Sequence, residues 1–183
     1  MGQLDIHYII LTAAIMINGL GCIYILKKDW VRYGLVLIIS LMFSSSLCYL
    51  FYVLHYYRFV LPLFQVMPAV AISFSFLVLF LIRFRPKKHT FPFFYSVLIF
   101  IFSIEVLLKD YWGFIRFSNG WDYWDSFSLY WVYSRVFDHI GEFFVSAKYR
   151  TPIRAETRIY WFSFFAFILY GCFLFYWIFK MNH

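Results

Sequence analysis

Charge is scarce in this chain: Asp, Glu, Lys and Arg make up 14% of its 183 residues, against about a quarter in soluble domains. Acidic residues are scarcest, nine against sixteen Lys and Arg. There are three cysteines and no CxxC pair, which argues against a disulfide framework or a zinc site. Cys22, Cys48 and Cys172 fall inside apolar runs and read as packing residues. Neither G-x-S-x-G nor H-E-x-x-H occurs, so the familiar hydrolase and zinc-peptidase signatures are missing. No basic segment precedes the first apolar run and no A-x-A-like site follows it. That run is therefore expected to stay in the mature protein. Internal repeats and low-complexity linkers are lacking too, so residues 1–183 read as a single domain.

What is abundant is apolar surface. Hydrophobic residues make up 64% and aromatic residues 27% of the chain, with a mean hydropathy of +0.75. A soluble domain of this size could not hide so much, so lipid must cover it. Many of the aromatics suit the headgroup level, where rings with one polar end are favoured. The net charge of +7 does not point to nucleic acid, because the basic residues cluster in short loops between apolar runs. That is the pattern of a topology signal and of attraction to anionic lipid.

Six runs predict six helices, over residues 8–26, 34–54, 61–82, 91–108, 124–147 and 159–179. The first carries Asn18, Gly19 and Gly21, small or polar positions where another helix can come close. The second carries Ser44, Ser45 and Ser46, hydroxyls able to bond back to the backbone or across to a neighbour. His55 to Arg58 read as a short turn. The third contains Gln65 and, one turn on, Pro68, which removes a backbone donor and tends to bend a helix. Glu105 is the one ionisable residue of the fourth, near its far end. Residues 109–123 hold Trp112, Trp121, Gly113 and Asn119-Gly120. They read as an aromatic cap lying on the membrane surface. Lys180 and His183 follow the sixth run.

The fifth run is the doubtful one. It carries Arg135, Asp138, His139 and Glu142 at i, i+3, i+4 and i+7, one stripe along a helix. With it threaded through the bilayer, one membrane face holds Lys27, Lys28, Arg32, Arg83, Arg85, Lys87, Lys88, Lys148, Arg150, Arg154 and Arg158. The other face holds Arg58, Lys109, Arg116 and Lys180. If it lay on the surface, the basic residues would divide evenly. Short cytoplasmic loops favour positive residues, so six spans with both termini outside the cytoplasm are expected. Each central charge costs roughly 2.5–3.5 kcal/mol on the insertion scale, while the run's Leu, Ile, Val and Phe residues return only about 3–5 kcal/mol in all. The stripe must therefore face protein or water. Arg135 can reach Asp138 or His139 within the helix, and Glu105 could meet Arg135 from the outer side.

Intramembrane ionisable residues suggest function. The cluster of Glu105, Arg135, Asp138, His139 and Glu142 could be an ion-pair network fixing helix register. It could also line a substrate or proton path, for which His139 is suited. A metal site at Asp138, His139 and Glu142 is disfavoured: Glu105 lies at the wrong height to complete it, and Arg135 would repel a cation. No cofactor is expected, and no catalytic residue can be named.

Glu105, Trp112-Gly113-Phe114-Ile115, Ser118-Asn119-Gly120-Trp121, Trp124, Ser126 and the basic turn Lys148-Tyr149-Arg150-Thr151-Pro152 together resemble a family of small, uncharacterised integral membrane proteins of endospore-forming bacteria. The resemblance covers about residues 100–155. It implies a multi-span fold and a plasma-membrane location, and no activity. The charged stripe departs from the apolar fifth span expected there.

The sequence thus predicts an all-α, polytopic bundle of six transmembrane helices. Its function is expected to be transporter-like, or proton- or ion-handling along the stripe. The alternative is a non-catalytic subunit or scaffold of a membrane complex. An enzyme is disfavoured. Expected partners are membrane lipids, with other membrane subunits or a second copy as further candidates, and no nucleic acid.

Overall fold

A computed structural model describes residues 3–181, so His183 lies outside it. The chain forms α1 (Gln3–Leu26), α2 (Trp30–Val53), β1 (Tyr57–Phe59), α3 (Leu63–Phe84) and α4 (Thr90–Val106). A π-helical turn, Leu107–Tyr111, extends α4. Then come β2 (Ile115–Phe117), α5 (Tyr123–Phe144), a single 3-10 turn at Ala147–Tyr149, and α6 (Arg158–Met181). Among the described residues the regular structure is therefore helical apart from one two-stranded ribbon. Among the described residues, five stretches are long and apolar enough to cross a membrane: Asp5–Leu26, Trp30–Val53, Leu63–Phe84, Thr90–Tyr111 and Arg158–Lys180. The α5 helix has the same 22 residues as α3, about 33 Å at 1.5 Å per residue, and falls short in composition rather than length.

Local sequence explains where the helices stop. Asp29 caps α2 by accepting from the Arg32 amide, and Asp122 closes a capping box with Asp125 at the start of α5. Pro86 disfavours helical backbone at Arg85, and α3 ends at Phe84. α3 itself runs unbroken through Pro68. Gly113 and Gly120 take left-handed backbone (φ +59° and +80°) on either side of β2, where a side chain would be strained.

The connections gather at two ends. At one, β1 pairs antiparallel with β2, Arg58 opposite Arg116. The segment expected to be a plain turn is thus half of a ribbon, and the aromatic segment 109–123 supplies the other half. At the other end, the Thr151 amide bonds Arg83 O (2.8 Å) and the Ile153 amide bonds Phe84 O (3.1 Å), tying the α5–α6 connection to the end of α3. The α5 helix begins at the ribbon end and finishes at this basic end, so it runs the length of the bundle.

The core sits around α3. Val78, Leu79, Leu81 and Ile82 are buried against Ile25 of α1, Tyr33 and Val36 of α2, Phe94 of α4 and Phe137 of α5. Close approach is built in. A Cβ on Gly21 would stand 2.6 Å from Cδ2 of Phe76, and one on Gly141 would stand 2.6 Å from Cδ1 of Ile82. Gly19, by contrast, has open space beside it. Asn18 donates to Ser73 Oγ at 2.8 Å, joining α1 to α3. Ser40 and Ser44 each bond the Tyr133 hydroxyl at 3.0 Å, joining α2 to α5.

Candidate functional site

Two polar centres lie at opposite ends of the bundle. The first, at the basic end, is built on α5. Asp138 is 3% exposed and has both oxygens engaged: Arg85 donates to Oδ1 at 2.8 Å, and Arg135 to Oδ2 at 3.3 Å. Arg85 also donates to Glu142. The Arg135 guanidinium lies over the Phe94 ring, 5.1 Å from its centre. His139 is 72% exposed, its Nδ1 3.9 Å from Glu142. Arg150 closes the helix C-terminus by donating to Val145 O (2.7 Å) and Gly141 O (2.9 Å), where unpaired carbonyls gather negative charge.

The stripe is therefore not uniformly turned inward. Asp138 faces protein, Arg135 and Glu142 are about half covered, and His139 faces outward. The expected Arg135–Asp138 pair is present. The main partner of the acids is Arg85, which in the sequence looks like one more basic loop residue. Among the described residues, no three His, Cys, Asp or Glu are grouped so as to hold a metal ion.

Glu105 does not join this centre. It stands at the ribbon end of α4, and α4 runs antiparallel to α5. It is therefore level with Ser126 and Tyr130 at the start of α5. Arg135 lies nine residues beyond Ser126, about 13 Å further along the helix, which is out of reach. Glu105 is 4% exposed. Its Oε1 accepts from the Tyr57 hydroxyl at 2.6 Å. The Tyr57 hydroxyl also meets Ser126 Oγ at 2.7 Å, and the Trp121 indole donates to the same Ser126 Oγ at 2.9 Å. Burial, together with the neighbouring Glu105 carboxyl, pushes the Tyr57 hydroxyl well above the usual tyrosine range, so it remains a donor. Among the described residues, Glu105 Oε2 is buried without a well-formed hydrogen bond, and the Tyr130 and Ser126 hydroxyls lie beside the carboxyl.

Glu105 is among the residues that line a cavity of about 1020 Å³. Ile10, Ala14 and Asn18 of α1 line it, as do Val70 and Ser73 of α3, and Ile101 and Ile104 of α4. It reaches Tyr160 and Phe164 of α6 toward the basic end. Its surface is overwhelmingly apolar, and it does not extend to Asp138. Sequence reasoning grouped Glu105 with Trp121 and Ser126 only as residues of a resemblance, and it missed Tyr57, because the ribbon that delivers Tyr57 joins segments 58 residues apart. No family model, curated protein or solved structure matches the chain.

Proposed function

We propose that this chain is a six-span protein of the plasma membrane, with both termini outside the cytoplasm, that takes a lipophilic solute into its bundle. The reading is transporter-like. Two observations support α5 as the sixth span. It connects the ribbon end to the basic end, and its most buried charge, Asp138, is paired on both oxygens. That pairing removes much of the cost of inserting the stripe. With α5 inserted, the eleven basic residues of the sequence count share one face, as short cytoplasmic loops favour. The resemblance of residues 100–155 to membrane proteins of endospore-forming bacteria would agree with this location.

The cavity carries the functional reading. At about 1020 Å³ it is at the upper end of the range for small-molecule pockets, and its walls suit an apolar guest. The solute path is assigned to this cavity rather than to the α5 stripe, because the stripe's buried acid has no oxygen left to offer. Native mass spectrometry of the protein extracted in lipid nanodiscs tests the reading. A small lipophilic species should accompany the wild type and be lost from Ala14→Trp, which fills the cavity. Equal retention by both would refute it.

One observation favours the scaffold alternative. α6 packs chiefly on α4 and leaves Phe162, Leu169 and Phe173 more than half exposed. Cross-linking from residue 169 to a second membrane protein, with an empty cavity, would favour that alternative.

A further inference from the structure

We infer that the exposed face of the ribbon is a binding site for a phosphate group, held between the Arg58 and Arg116 guanidiniums. The site is independent of the cavity reading. In the ribbon Arg58 stands directly opposite Arg116, so both side chains leave the same face. Both are exposed, and neither has an ion pair or a side-chain hydrogen bond among the described residues. Like charges set opposite each other on two strands repel. The register cannot slip to part them. Tyr57 and Ile115, on the other face, are buried, and the Tyr57 hydroxyl is fixed on Glu105 and Ser126. A shift of one residue would turn that face outward.

The acids of this end are already engaged. Asp110 accepts from Lys109 at 3.1 Å, and Asp122 and Asp125 close the capping box of α5. Asp5 is not free either, and Glu105 is buried behind the ribbon. The surroundings of Arg58 are shaped as well. A recess of about 320 Å³ lies beside it, walled by Tyr52, His55, Tyr57 and Phe59. His55 holds left-handed backbone (φ +58°), a strained conformation for a residue other than glycine. Its turn is pinned: Ser118 Oγ donates to His55 O, and Asn119 Nδ2 donates to Leu54 O at 3.0 Å. Along the ladder, the Ser118 amide bonds Tyr56 O and the Val60 amide bonds Phe114 O. That alternation turns the Tyr57 and Phe59 amides toward the edge of β1 away from β2. Two guanidinium forks side by side match the several oxygens of one phosphate, and its negative charge removes their repulsion. A lipid headgroup and a soluble phosphate present the same group.

Hydrogen exchange of the ribbon amides, residues 56–60 and 114–118, reads this site apart from the basic end of the bundle. The full-length protein in a neutral maltoside detergent receives inorganic phosphate, short-chain phosphatidylglycerol, or chloride at matched ionic strength. Phosphate or phosphatidylglycerol should slow exchange about threefold or more beyond chloride. Slowing by phosphatidylglycerol alone assigns the group to a lipid headgroup, and slowing by inorganic phosphate alone to a soluble ligand; either supports the site, as does slowing by both. Arg58→Gln should abolish the effect, and Arg116→Gln should do so from the other strand should the first variant fold poorly. Arg58→Glu would pair with Arg116 and should slow exchange about twofold without any ligand. No slowing of wild type beyond chloride, or slowing that persists in the Gln variants, would overturn the site. An Arg58→Glu ribbon no better protected than wild type would overturn the repulsion on which it rests.

Discussion

Removing the Arg85 side chain is the sharpest perturbation of the bundle. In the native arrangement Asp138 is 3% exposed and Arg85 20%, with 2.8 Å between donor and acceptor. Deleting one partner of a buried ion pair costs about 3–5 kcal/mol, because the other charge is stranded. Two features reduce that figure here. Arg135 still holds Oδ2 at 3.3 Å, and Arg85 has partial access to solvent or headgroups. Its bond to half-exposed Glu142 adds little, since pairs of that kind contribute about 0–1 kcal/mol. Arg85→Ala should therefore destabilise by about 2–3 kcal/mol, a fall in melting temperature of roughly 5–10 °C for a chain of this size. Thermal unfolding in one fixed detergent, followed by tryptophan fluorescence, measures it. Arg135→Ala should cost less than Arg85→Ala, because Arg135 is 41% exposed and holds the longer bond. Arg85→Met with Asp138→Asn should recover most of the loss, since no charge is then stranded. His139→Gln, at a side chain 72% exposed, is the control. If Arg85→Ala melts with His139→Gln, or if the double variant is no better than the single one, the lock between α3 and α5 does not hold the bundle together.

Three further outcomes are expected. Tyr57→Phe removes the donor to Glu105 Oε1, so stability should fall by about 1–3 kcal/mol; an unchanged melt would mean that the neighbouring Tyr130 and Ser126 hydroxyls already serve the carboxyl. Gly141→Val places a Cβ 2.6 Å from Ile82 Cδ1 and should lower folded yield sharply, with partial rescue by Ile82→Ala; rescue by Leu169→Ala instead would place the clash elsewhere. In a Cys172→Ser background, cysteine at 148 should react with an impermeant reagent only from the cytoplasmic side and cysteine at 116 only from outside; both reacting from one side would return α5 to the surface.

Much of the bundle was readable one residue at a time. The start of α5 at a capping Asp122, the end of α3 before Pro86, and the close approach at Gly21 each rest on properties of a few neighbouring residues. The Arg135–Asp138 pair was readable for the same reason, because i and i+3 are neighbours on any helix. Arg85 and Tyr57 were not. Each acts on a residue about fifty positions away, and no local pattern marks one basic residue of a cluster, or one tyrosine among sixteen, as the one that turns inward.

The sequence alone thus determined that the chain is helical and apolar enough for lipid, in which stretches its helices lie, and that acids lie among its apolar runs. Helix periodicity and hydropathy are local properties, and they survive any arrangement of the helices. The tertiary structure decided that those acids form two separate centres, one paired off by Arg85 and one left half-bonded beside a cavity. Antiparallel packing sets the height at which residues of different helices meet, and that height is a property of the assembled bundle.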